Sequence, residues 1–501
     1  MNEKKSVRNA ISGVLGQLIT IIFGIYIPHL IIVGLGSESN GLLSSISVVL
    51  GYLNLLEAGI GTASLQSMYG PVARDDVSEI NGILTATKLF YRKTSKFYAL
   101  GIAGIAFIYP ALVKSEIPLL TIVLVILFSG LPNVVNFYFQ GKYKILLQAD
   151  GRYYVITNVQ TLSSIITSIS KILLINHGYG VLALQFVYFL VSIGQMIFFE
   201  LYIRRVYAWV DIAVSPNFDA LSKKGAVLVH QISGLVFNST DTMVLSVLCG
   251  LETVSIYSIY TMLFGMVSTL VQNINNSISY IMGQTFNTDR DKYLKMHDAY
   301  EVYNMALTFS LYAIAGLFIL PFIKLYTAGA EISYLDRWLP HLFIATYLLE
   351  NGRTACIKVI HYAGHFKQTR WHAVVEMILN LSVSAIAARF FGIYGVLLGT
   401  VAALLFRSNA MIFYAAKRIL KRSPASTYYH WAINIALYFG VTICSDCFLK
   451  NIVMDSYLKI AFWAAIACAV WIPVFLIVNS VLNQRVFSFV LSLVKTKRAG
   501  T

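Results

Sequence analysis

Glu57 stands in Leu55-Leu56-Glu57-Ala58-Gly59-Ile60-Gly61, an acid among apolar neighbours. A carboxylate in such a run either faces a wet cavity or is bonded to a nearby hydroxyl or amide. Gly59 and Gly61 permit a bend or a close backbone approach beside it, so they are the candidate hinge. Asn238-Ser239-Thr240-Asp241-Thr242 places polar residues in succession inside an apolar stretch. Such a belt covers a whole helical turn, so part of it must avoid lipid, and a cavity wall bearing Asn238 and Asp241 is favoured. Gln272-Asn273-Ile274-Asn275-Asn276-Ser277 offers neutral amides, of which Asn273 and Asn276 are the candidates. Amides donate and accept together, which suits sugar hydroxyls and equally suits helix–helix bonding. Glu350-Asn351-Gly352-Arg353 sets opposite charges three residues apart, close enough on a helix to pair. That internal pair is the favoured reading; the guanidinium fork could instead hold a phosphate. Lys88, Arg92 and Lys96 share one helix face at i, i+4, i+8 spacing. They suit anionic lipid headgroups, or the diphosphate of an approaching substrate.

Other motifs dissolve on inspection. Cys444-Ser445-Asp446-Cys447 is a single CxxC without a second pair, and His361 and His365 lack the glutamate of HExxH. Asp75-Asp76 fits a helix N-cap. Without a phosphate loop, a GxSxG elbow or a kinase signature, an enzyme is not expected. No metal site and no cofactor are expected either, while coupling to H+ or Na+ stays open.

These residues must be positioned by elements suited to lipid. Of 501 residues, 57% are hydrophobic and only 12% charged, against about 45–50% and about 25% in an ordinary globular chain. That balance excludes a soluble enzyme, a disordered chain and a single-anchor protein. A helix needs roughly 20 mostly apolar residues to cross hydrocarbon. About fourteen segments qualify on this ruler: 9–34, 41–68, 84–113, 117–140, 154–176, 180–203, 225–250, 254–284, 300–323, 338–362, 372–388, 392–416, 427–449 and 457–482. The fold class is therefore all-α, a polytopic integral membrane protein.

The net charge of +15 could suggest nucleic acid. With the spans in place, however, the 38 lysines and arginines split about four to one between alternate sides of the membrane. The basic side is cytoplasmic by the positive-inside rule, which puts both termini there and removes the nucleic-acid reading. Every loop is short, so no soluble catalytic domain is expected. Residues 207–224 form the longest basic-side connection and suggest an N-lobe over 1–206 and a C-lobe over 225–422. Residues 423–501 add two spans and a tail. Six plus six plus two suggests an internal repeat, for which Ser12-Gly13-Val14 and Ser233-Gly234-Leu235 are one match. Gly34-Leu35-Gly36-Ser37-Glu38 and Cys249-Gly250-Leu251-Glu252 are another.

The stretch from His230 to Thr242, then Ser255-Ile256-Tyr257-Ser258, resembles the bacterial Wzx-type polysaccharide flippases. Glu57-Ala58-Gly59-Ile60-Gly61 and Leu146-Leu147-Gln148-Ala149-Asp150-Gly151-Arg152 do so too. These flippases form the polysaccharide-transport branch of the multidrug/oligosaccharidyl-lipid/polysaccharide superfamily. The resemblance implies two six-helix lobes around a central cavity that opens alternately to each side. It implies a substrate of oligosaccharide joined through diphosphate to a polyprenol, turned to the outer leaflet of the bacterial cell membrane. Capsule, exopolysaccharide or O-antigen assembly would follow, with a polysaccharide polymerase and chain-length machinery as partners. A multidrug/cation antiporter of the superfamily is the chief alternative, but residues 9–34 contain no Asp or Glu for ion coupling. A lipid II flippase is the nearer alternative, and the arginines its family places in the first span are missing here, with only Arg8 at the edge.

Overall fold

In hydrocarbon a backbone N–H or C=O finds no water, so a long apolar run must satisfy its own hydrogen bonds as a helix. The computed structural model describes residues 3–57, 60–218, 228–449 and 452–499, and among them no strand occurs. The chain divides into two compact units, Met1–Ser255 with Gly329–Ile332, and Ile256–Ala328 with Ser333–Thr501. The border at 255/256 lies one helix beyond the 207–224 connection.

The first unit holds α1 (Glu3–Leu35), α2 (Ser37–Leu53), α3 (Ile60–Ala73), α4 (Val77–Leu112) and α5 (Leu119–Val135). It continues with α6 (Gly141–Ala149), α7 (Tyr153–Asn176), α8 (Val181–Val206) and α9 (Leu228–Leu248). Its core gathers Leu42, Ile46, Ile83, Tyr98, Val125 and Leu146, and α9 packs on α2. The first turns of α10 (Leu251–Thr288) also belong to this unit. The rest of α10 opens the second, followed by α11 (Arg290–Tyr326), α12 (Leu339–Gly352), α13 (Thr354–Tyr362) and α14 (Phe366–Phe391). Then come α15 (Ile393–Tyr414), α16 (Ala425–Leu449), α17 (Tyr457–Leu482) and α18 (Gln484–Ala499). Tyr260, Phe264 and Phe343 form a buried aromatic stack here, Tyr260 and Phe343 with centroids 5.4 Å apart.

Each of the fourteen expected spans coincides with described helix. Among the described residues, eleven helices are long and apolar enough to cross a membrane by length and composition alone. The other three expected crossings fall on α9, the α12–α13 pair and α16. Large apolar side chains point outward from the crossing helices, Phe107 being 85% exposed, as lipid-facing surfaces require.

Four interruptions shape the site. A 3-10 turn at Asn54–Leu56 ends α2 and leaves α3 to start again. Pro132 deprives α5 of one N–H and crowds the preceding turn, and a π turn follows at Asn136–Gln140 before α6. Arg353 sits between α12 and α13. A second π turn, Ala415–Leu420, closes α15. The two loops matched in sequence also share a backbone form. Gly36 joins α1 to α2 with φ +86°, and Gly250 joins α9 to α10 with φ +94°. Both lie in the left-handed region that a Cβ disfavours.

Candidate functional site

Glu57 follows the 3-10 turn, and its Oε1 accepts from the Gly61 N–H at 2.9 Å and from the Tyr91 hydroxyl at 2.9 Å. The carboxylate thus caps the first turn of α3, where unsatisfied N–H groups concentrate positive potential. A Cβ on Gly61 would stand 2.6 Å from that oxygen and 3.0 Å from the Tyr91 Oη. Gly61 therefore provides close approach to the acid. Gly59, the other proposed hinge residue, lies outside the described residues.

Lys88 and Arg92 project from α4 into a cavity of about 460 Å³ that they share with Tyr138, Lys142, Glu200 and Arg204. Lys88 donates to the Ile212 carbonyl at 3.0 Å, and Arg92 lies 5.2 Å from the Tyr138 ring centroid. Lys142 is nearly buried, donating to the Phe139 carbonyl at 2.7 Å and lying 4.1 Å from the centre of the Tyr143 ring. Glu200 is the acid in this lining, and it pairs with Arg204 at 2.9 Å. Four cations against one carboxylate make an anion-attracting pocket with aromatic walls. Lys96, expected on the same face, is exposed and does not line it. Lys142 and Arg204 were legible only as loop charges. The π turn is what brings Lys142 to α4.

Arg353 does not form its pair with Glu350. Its Nη1 donates to Glu376 Oε1 of α14 at 2.9 Å, while Arg407 of α15 takes the other carboxylate oxygen. One acid between two guanidiniums ties α14, α15 and the α12–α13 break together. The helix ends at Gly352, so Arg353 leaves the line of Glu350 and faces across to α14. Glu376 and Arg407 had no spacing signal to announce them as partners.

In the belt, Ser239, Thr240 and Asp241 are buried and lie beside the Tyr52 hydroxyl of α2. The Asn238 side chain is outside the described residues. Among the amides, Asn273 and Asn276 lie on the exposed side of α10. Asn275 instead turns inward and accepts from the Tyr300 hydroxyl at 2.8 Å. Asn273 lies about 33 Å along α10 at ~1.5 Å per residue, near the far edge of a hydrocarbon core.

His297, Asp298 and Glu301 are close enough together to suggest a metal group. Arg422 already pairs with both carboxylates, and Thr427 donates to Glu301 at 2.7 Å. This is an ion-pair latch joining α11 to the start of α16. Asp76 caps α4 through the Glu79 N–H at 3.0 Å, as its position in the turn implied.

No protein-family model and no curated protein matches the chain. Solved structures do. The lipid II flippase MurJ in an inward closed conformation aligns with a TM-score of 0.67 at 12% identity, covering 94% of this chain and 99% of that one. An inward-facing multidrug resistance MATE transporter gives 0.65 at 14%, covering 80% and 95%. The MATE multidrug transporter DinF-BH gives 0.55 at 13%, covering 83% and 96%. At such identities the likeness concerns the fold alone: this chain is a multi-pass helical membrane protein whose fold is similar to those of the MurJ flippase and the MATE transporters.

Proposed function

We propose that the protein is a flippase that carries polyprenyl-diphosphate-linked oligosaccharides from the cytoplasmic to the outer leaflet by alternating access. The observation that carries this reading is the basic cavity of the first unit. Lys88, Arg92, Lys142 and Arg204 supply cations for a diphosphate, and Tyr138 and Tyr143 supply flat faces for sugar rings. A glycan diphosphate cannot enter hydrocarbon unaided, because each buried polar group would lose its hydrogen bonds. Hydroxyls of the belt in the same unit, Ser239 and Thr240 beside Asp241, replace part of those bonds. Anionic lipids compete for the same cations at the membrane face. Outward movement of two negative charges down an inside-negative potential gains about 4–5 kcal/mol per 100 mV, at ~2.3 kcal/mol per charge. Coupling to H+ or Na+ then serves to reset the empty carrier. Polymerase and chain-length machinery act on the delivered unit.

The test is export in cells. Combined Lys88→Gln, Arg92→Gln and Lys142→Gln is expected to leave lipid-linked repeat units inside and to remove most surface polysaccharide at normal protein level. Full export by that variant overturns the reading. Failure of peptidoglycan synthesis with normal polysaccharide would assign the alternative, a lipid II substrate. Loss of drug efflux alone would assign the antiporter.

A further inference from the structure

The first unit contains a second cavity, of about 480 Å³, set among the π turn, α6, α7 and α8. Its lining includes Lys144, Lys171, Asn136, Gln140, Gln160 and Thr167, and no carboxylate belongs to it among the described residues. The size is that of a small-ligand site. Lys144 donates to Asn136 Oδ1 at 2.6 Å and lies 5.4 Å from the Phe199 ring centroid. The Lys171 ammonium lies 5.9 Å from the Tyr188 ring centroid. Among the described residues, no acidic side chain lines the cavity to pair with either ammonium. By hydropathy Lys144 reads as a loop residue on the basic side, and Lys171 falls within the 154–176 span, near its opposite end. In the structure they sit on helices of spanning length, Leu119–Ala149 and Tyr153–Asn176.

Two ammonium groups without a counter-charge inside a membrane domain are costly, and such groups mark functional sites. The π turn adds an independent sign, since these bulges cluster at sites of function. Asn136 and Gln140, its first and last residues, both line the cavity. Gln140 is 2% exposed, and its Oε1 has no hydrogen-bond partner among the described residues. That carbonyl can accept from a water molecule accompanying a bound ion. The remaining ammonium protons, amide N–H groups and hydroxyls of Ser163 and Ser164 are donors. The donor set and the uncompensated charge agree on an anion, and the volume leaves room for its water.

We propose that this cavity binds a small hydrated inorganic anion, with Lys144 and Lys171 supplying the charge and Asn136 and Gln140 positioning Lys144 and the ion's water. The site is separate from the basic cavity at Lys88 and does not depend on the flippase reading.

The test uses the purified full chain in lipid nanodiscs. Thermal unfolding is followed in sodium chloride, sodium phosphate and sodium gluconate at matched pH and ionic strength, alongside radiolabelled chloride binding. Wild type is expected to gain stability from chloride or phosphate over gluconate, saturably, because a ligand that binds only the folded state raises its Tm. Chloride binding that phosphate does not displace assigns a halide; stabilisation by phosphate alone assigns an oxyanion. Lys144→Gln with Lys171→Gln is expected to weaken binding by about tenfold or more, as loss of charge-assisted bonds requires. Asn136→Asp, nearly isosteric, places a carboxylate beside Lys144 and should abolish binding in a protein that still folds. Equal Tm in all three salts, or undiminished binding in Asn136→Asp, overturns the proposal.

Discussion

At the residue scale, the clearest case is Glu376 between Arg353 and Arg407. Breaking a buried pair by deleting one partner costs about 3–5 kcal/mol, since the survivor keeps a charge that water no longer solvates. Glu376→Gln leaves two guanidiniums facing each other and should lower Tm and membrane level more than Arg353→Gln, after which Arg407 still meets the acid. Thermal unfolding of both variants in detergent decides the order. From sequence alone, Arg353→Ala, like Asp241→Ala, is expected to reduce export at unchanged protein level. The triad changes that expectation for Arg353 to a loss of protein, checked by immunoblot of the membrane fraction. The pairing with Glu376 was not legible because it joins residues 23 apart on two helices. Local spacing pointed to Glu350, and the end of α12 turned Arg353 away.

At the element scale, the second expected span is in fact α2, a 3-10 turn and α3, held by Glu57. A methyl group at position 61 would push the carboxylate off the α3 terminus. Gly61→Ala should therefore cost about 1–2 kcal/mol, the worth of a lost cap, with Tyr91→Phe smaller because the backbone bond survives. Urea or thermal unfolding in detergent measures both. The glycines were legible as a weak point in the helix. That the acid itself closes the gap was not, because Tyr91 comes from another helix. Lys142 and Lys144 were misplaced as loop charges for a related reason. A span read by hydropathy stops at the first charges, whereas the helix runs through the π turn to Ala149.

At the scale of the molecule, the apolar segments were legible end to end, because bilayer thickness imposes a length on every crossing. Removing the protein is expected to deplete surface polysaccharide and to accumulate lipid-linked repeat units inside, read by lipid extraction and mass spectrometry. Normal polymer after clean deletion, in a cell without a paralogue, would count against the proposed substrate. One local irregularity carries weight at this scale. The π turn at Asn136–Gln140 inserts an extra residue into an otherwise regular rod, and everything after it is turned by about 100°, the angle one helical residue subtends. Lys142 reaches one cavity and Lys144 the other by virtue of that offset. Excising a single residue there would heal the rod, swing both lysines to the wrong faces, and disarm two cavities at one stroke while leaving composition, charge and hydropathy almost untouched.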